Sequence, residues 1–196
     1  MKKIRFFLLS CFVMLFAALA LTGCLAKNSD VRLLYDTQVP QAVPAATAPR
    51  IVVVQFEDKR TTADLGVRKD GTAFQSSASV PGWVTQALAD ELAARGAQVS
   101  VALSMAQAQL NQPQYIVTGT VDSVQLTEKS LTTCQAAIRL QTHLYSNTQP
   151  KVTRSFSSQF EKTGIPGAKL GESTLSGALA EALGNAATAV MGNLPR

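Results

Sequence analysis

The strongest constraint on the fold is an alternation in residues 132–146. Cys134, Ala136, Ile138, Leu140 and Leu144 share one face of an extended chain, and Gln135, Arg139, Gln141, His143 and Tyr145 share the other. A period of two over this length predicts a strand that is apolar on one side and solvated on the other. Asn147-Thr148-Gln149-Pro150 is a turn, and Val152, Phe156 and Phe160 continue as the returning strand of a hairpin. Residues 115–127 are β-rich, with Gly119 at the expected bulge where the inward face switches. Three consecutive strands with short connections pair as an antiparallel meander. Ile51-Val52-Val53-Val54 is apolar on both faces, which suits a central strand covered on two sides.

Two helices accompany these strands. Ser79 precedes Pro81, and Val80, Val84, Leu88 and Leu92 recur every four residues until Gly96 stops the helix. Ser173 is expected to cap a second helix with a stripe of Leu175, Leu179, Ala182, Leu183, Ala186, Val190 and Leu194, after a glycine-rich break at 164–171. Val99, Val101 and Leu103 alternate as a strand, and 104–111 is a short helix. Residues 61–79 form a long polar loop in which Leu65-Gly66-Val67 is briefly extended. The fold expected is a two-layer α+β domain over 51–196. It has a mostly antiparallel sheet of about four to five strands, with two amphipathic helices packed on one face.

The N-terminus is different in kind. Met1 to Arg5 is basic, and Phe6 to Leu21 is apolar apart from Ser10. As a helix this run rises about 24 Å, short of the roughly 30 Å of a hydrocarbon core. A basic head, a short apolar run and small residues at its end describe a secretory signal over 1–23. The ending Leu21-Thr22-Gly23-Cys24 resembles the bacterial lipobox. That resemblance implies a diacylglyceryl group on the Cys24 thiol, cleavage between Gly23 and Cys24, and acylation of the new amine. Leu25 and Ala26 follow, with no Asp after the cysteine, which by the same resemblance favours the periplasmic face of an outer membrane over the inner membrane. The alternatives are an uncleaved signal anchor with Cys24 incidental, or cleavage elsewhere. Residues 24–50 carry Pro40, Pro44 and Pro49 and are expected as an extended tether, in which Val31–Tyr35 docks as an edge strand.

The charge follows from this division. Of the 18 Lys and Arg, Lys2, Lys3 and Arg5 lie in the signal, while none of the 13 Asp and Glu do. The formal net charge of +5 therefore falls to +2 once residues 1–23 are removed. With few aromatics and no basic-aromatic stripe, nothing points to nucleic acid.

Catalytic constellations are missing from the sequence. His143 is the single histidine, placed among ordinary exposed-sheet residues. Cys134 falls on the buried face as a small core residue. The count of His and Cys leaves no metal site of the usual kind, and no cofactor motif is present. Residues 66–72 echo a phosphate loop but lack its Gly-Lys-Ser/Thr ending. A hydrolase built on Glu57, Asp58, Asp64 or Asp70 is the weakest of the readings. Asp58 and Arg60, two apart at the end of the first strand, suit a loop clamp or a partner contact.

The Asp58-x-Arg60 strand end, Leu65-Gly66-Val67, the helix running from Val84-Thr85-Gln86-Ala87-Leu88 to Glu91-Leu92-Ala93-Ala94-Arg95-Gly96, and the strand from Val99 together resemble the YajG-like family of proteobacterial envelope lipoproteins. The resemblance runs from Ile51 to Val101 and more loosely to the last helix. It implies an envelope lipoprotein and supplies no catalytic residues. The function expected is therefore a non-enzymatic, lipid-anchored accessory protein of an envelope assembly or transport system. Its membrane contact is the anchor, and its protein partner meets Asp58, Arg60, Arg139, His143 or Tyr145. The alternative is a periplasmic lipid- or glycan-binding module using Trp83 and Tyr145.

Overall fold

In a computed structural model of the chain, the structure describes residues 30–194 other than Gln38, Ser77, Asn147 and Thr148. The central element is β7 (Tyr115–Glu128), which has two different flanks. On one side it pairs along its whole length with β8 (Thr133–Ser146), which pairs in turn with β9 (Gln149–Thr163), all antiparallel. On the other side three short strands follow one another in parallel with it. They are β2 (Arg50–Val54), β3 (Glu57–Asp58) and β4 (Gly66–Val67). The sheet extends beyond β2 to β6 (Gln98–Ala102), in parallel, and beyond β4 to β5 (Ala73–Ser76), antiparallel. β1 (Asp30–Val31) then adds to β5 in parallel.

The expected sheet of four to five mostly antiparallel strands is thus corrected to a nine-stranded mixed sheet, curled into a half-barrel and accompanied by three helices. Connections explain the parallel pairs. The chain returns from the β2–β5 region to β6 through helix α1 (Val80–Ala94), and from β6 to β7 through the short helix α2 (Met105–Leu110). A helical crossover carries the chain back to the end at which it began, so the next strand runs parallel. Among the short strands, β4 falls in the stretch expected to be extended and β1 meets the expected edge strand at Val31, whereas β3 and β5, of two and four residues, are too short to carry periodicity.

The start and stop of α1 have local causes. Ser79 caps α1 by accepting from the backbone N–H of Gly82 at 3.2 Å, and Gly96, at φ +89°, ends it. The last helix, α3 (Ala168–Gly192), begins five residues before the expected cap. Ser173 lies inside it and donates to the carbonyl of Leu170. Gly171 does not break this helix: its missing side chain leaves room for Leu126 of β7, 3.0 Å from where a Cβ would stand.

Helices α1 and α3 share one core with Ile51 and Val53 of β2, Val117 and Val121 of β7, and the inward face of β8 from Cys134 to Leu144. The opposite face carries a smaller cluster, in which α2 covers Val52, Val54 and Ile116. Thus β2 is buried on both sides, and its four-residue apolar run has a physical cause. Gly119 is not the bulge; the register shifts between Val121 and Ser123. A Cβ at Gly119 would stand 2.3 Å from the Phe56 ring, so the glycine admits that ring to the core.

The chain before β2 is docked on the domain at several points. Val31 is buried, Leu33 and Tyr35 pack on the main core, and the Trp83 indole N–H donates to the Leu34 carbonyl at 3.1 Å. Further on, the Ala42 N–H donates to the carbonyl of Ala94, and the Gln98 N–H to that of Pro49. A turn closes at 45–48, where the Ala48 N–H donates to the Ala45 carbonyl at 2.9 Å, and the described residues before it run along α1.

Candidate partner-binding face

The solvated face of β7, β8 and β9 carries most of the residues singled out by the alternation. At the bulge, the Asp122 carboxylate accepts from the Thr120 hydroxyl at 2.7 Å and from the Gln141 amide at 3.1 Å. Next along β8, His143 Nδ1 lies 2.9 Å from the Thr153 hydroxyl of β9. Tyr145 packs against the cluster beneath α2, so its ring is committed to that small core. Arg139 is exposed, and no hydrogen bond or ion pair to it is found among the described residues. It lines a polar groove of about 500 Å³ with Ser123, Gln125, Ser157 and Gln159, and Glu181 of α3 stands at its margin. A guanidinium among hydroxyl and amide groups offers directional donors to a carboxylate or carbonyl of a partner.

Asp58 and Arg60 are not part of this face. Asp58 sits opposite Val121, whose side chain is in the helix-covered core, so the pair points to the other side of the sheet. The Arg60 guanidinium grips the Asp58 carboxylate with two hydrogen bonds, at 2.9 and 2.8 Å, and also donates to the Ala63 carbonyl. These bonds close the 59–65 loop. The Arg60 hydrogen bond holds the Asp58 carboxyl below the usual carboxylate range. The neighbouring acids also serve local contacts: Glu57 pairs with Lys59 at 2.6 Å, and Asp70 accepts from Thr72. They do not converge on one point. Burial, the largest cause, raises the Cys134 thiol pKa, with Glu128 adding to it, which disfavours the thiolate. Trp83 is buried with its N–H on Leu34, and with Tyr145 packed below α2 neither aromatic forms an open platform. Gly23 and Cys24 lie outside the described residues.

A set of polar contacts not anticipated from the sequence fixes the N-terminal segment. Arg32 pairs with the buried Glu172 of α3 at 3.2 Å. The Tyr35 hydroxyl donates to Glu91 of α1, which is 1% exposed and is also gripped by Arg95. Arg95 reaches on to the Gly184 carbonyl of α3. Burial, with the Glu91 carboxylate beside it, pushes the Tyr35 hydroxyl pKa strongly upward. The signal for this network is Glu91 itself, four residues after Ala87 and therefore on the buried side of an otherwise apolar stripe.

No protein-family model matches the sequence, and no curated protein sequence matches it. Several solved structures do match in shape. XCC0632 from Xanthomonas campestris, described by the family model DUF330, superposes with a TM-score of 0.59 at 10% identity, over 81% of this chain and 91% of that one. The likeness is one of fold. The hypothetical protein CT253 from Chlamydia trachomatis gives a TM-score of 0.50 at 9% identity, over 75% of this chain and 100% of that one. Lipoprotein GNA1162 from Neisseria meningitidis gives 0.39 at 16% identity, over 74% and 99%. The bacterial DUF330 protein therefore shares this fold. Among the described residues no helix is long and apolar enough to cross a membrane.

Proposed function

We propose that this chain is a non-enzymatic lipoprotein of the bacterial envelope, anchored through Cys24 at the periplasmic face of the outer membrane, that binds a protein partner. The observation that carries the partner contact is Arg139. Its guanidinium is exposed and unpartnered among the described residues, in a groove of hydrogen-bonding side chains. The solvated face is otherwise a polar ladder of Asp122, Gln141, His143 and Thr153, which suits an interface of directional hydrogen bonds. The lipobox resemblance at Leu21–Cys24 and the YajG-like resemblance over Ile51–Val101 supply the envelope setting. The fit is to an accessory factor of an assembly or transport system.

The test is photo-crosslinking in intact envelopes. A crosslinker at Arg139 or His143 should trap one specific protein, while one at the exposed Thr188 of α3 should not. Adducts with random neighbours alone would end the partner reading. Labelled palmitate should enter the wild-type chain and not Cys24→Ala; labelling of both would remove Cys24 as the anchor.

A further inference from the structure

We propose that one end of the sheet, formed by the 129–132 turn, the 164–167 loop and the 68–72 turn, lies on the membrane surface. This rests on the lipid anchor at Cys24 and adds which surface of the domain the anchor holds against the bilayer.

The strand register fixes where the N-terminal chain leaves the domain. Asp30 and Val31 pair in parallel with Gln75 and Ser76. β5 is antiparallel to β4, with Gly66 opposite Phe74 and Val67 opposite Ala73. β4 is parallel to β7, with Gly66 opposite Leu126 and Val67 opposite Thr127. Traced backwards from Asp30, the chain therefore points toward Glu128, the last residue of β7. Asp30 is about level with Gln125, three residues or roughly 10 Å short of that end. Asp30 is six peptide steps after Cys24, and their greatest reach is about 20 Å. The prolines at 40, 44 and 49 come after this point, on chain already laid along the domain. They add nothing to the reach of the anchor. The lipidated residue can therefore stand at most roughly 10 Å beyond this end of the sheet, whereas the far end of β7 lies out of its reach.

That end is built for a bilayer surface. Its two outermost apolar side chains, Leu131 at 76% and Ile165 at 89%, are exposed. They stand on adjacent loops, because the Gly164 N–H donates to the Thr132 carbonyl at 2.8 Å. Around them are Lys69, Lys129, Lys162 and Lys169, and none of these ammonium groups has an ion-pair partner among the described residues. Lysines beside apolar tips place their stems in the interface and their charges at lipid phosphates. The acids at this end are Asp30, Asp70, Glu128 and Glu161. Glu128 pairs with Arg68, and Asp70 accepts from Thr72, so these acids are engaged within the domain. The opposite end, with α2 and its exposed Leu110, stands some 45 Å away along β7.

The experiment uses the full chain, expressed with its own signal and purified as the mature protein. It is reconstituted into phosphatidylethanolamine–phosphatidylglycerol vesicles with brominated acyl chains. A fluorophore is attached in turn at Leu131→Cys, Ile165→Cys and Leu110→Cys, with the wild-type chain as the labelling blank for the buried Cys134. Emission at 131 and 165 should fall at least about twofold on bromination, and that at 110 should not change. Protein that floats with the vesicles yet shows no quenching at 131 and 165 overturns the orientation and leaves the anchor intact. Quenching at 110 alone reverses the orientation and overturns it as well. Protein that neither floats nor carries palmitate removes the anchor and this inference with it.

Discussion

The two flanks of β7 are held in different ways. Toward β8 the pairing is one antiparallel ladder, interrupted once, and its inward side chains share one core with α1 and α3. Toward β2, β3 and β4 it is three short parallel stretches separated by loops, each fixed by something local. β2 is buried on both faces, β3 carries the Asp58–Arg60 grip, and β4 needs a glycine. At Gly66, with φ +143°, a Cβ would stand 2.0 Å from the Leu126 carbonyl oxygen. A continuous ladder shares its stability along its length. A broken one depends on individual residues and opens piecewise.

The largest test of this difference is a truncation on the regular flank. Leu140 is fully buried between Val121 and Phe156, so Leu140→Ala should cost about 2–5 kcal/mol and lower the stability of the whole domain in urea unfolding. A purely local loss, with cooperativity broken, would show that the ladder is not the shared support described here.

Tyr35→Phe should cost about 1–2 kcal/mol near neutral pH, by removing one hydrogen bond to a buried carboxylate. It also has a pH signature. The hydroxyl of Tyr35 has a folded pKa above its unfolded value, so its contribution is complete below about pH 10 and is lost as pH rises beyond it. Wild-type protein should therefore lose stability in alkali more steeply than the Phe variant, as thermal melts across that range will show.

Arg60→Ala should cost about 0.5–1 kcal/mol, since the pair is partly solvated. Here the sign is opposite. The folded pKa of Asp58 is depressed, so its contribution is present above about pH 4 and is lost as pH falls through the folded value. The variant should lack that acid component. The smallest effect needs no mutation. Backbone amides of β3 and β4 should exchange hydrogen through local opening at lower free energy than those in the middle of the β7–β8 ladder. Equal protection on both flanks would erase the distinction.

The same difference decided what could be read from the residues. The hairpin of β8 and β9 was legible because Cys134 to Leu144 alternates through many periods, and α1 because its stripe and its caps agree. β3 has no period to show, and β4 was legible only as a brief extension at 65–67, not in its pairing. Gly66 and Gly119 look like ordinary loop or bulge glycines, yet each is required by an atom far away in sequence. Parallel pairing of β2 with β6 and β7 follows from two crossovers and not from any feature within the strands. Alternation was enough to place Arg139, His143 and Tyr145 on one face of β8, opposite its buried residues. It did not separate that face from Asp58 and Arg60, because which side of β7 a neighbouring strand presents depends on register. Tyr145 shows the same limit, since the cover that α2 gives it is a matter of tertiary packing.

The way the N-terminal segment is attached has a mechanical meaning. A pull on the chain preceding Asp30 acts along the direction of β1, so its bonds to β5 are loaded in shear, together, and not peeled one at a time. Behind β1, the Arg32–Glu172 and Tyr35–Glu91 contacts pass the force separately into α3 and α1. Tension at the N-terminus would thus be divided between the two main helices before any strand of the central ladder has to move.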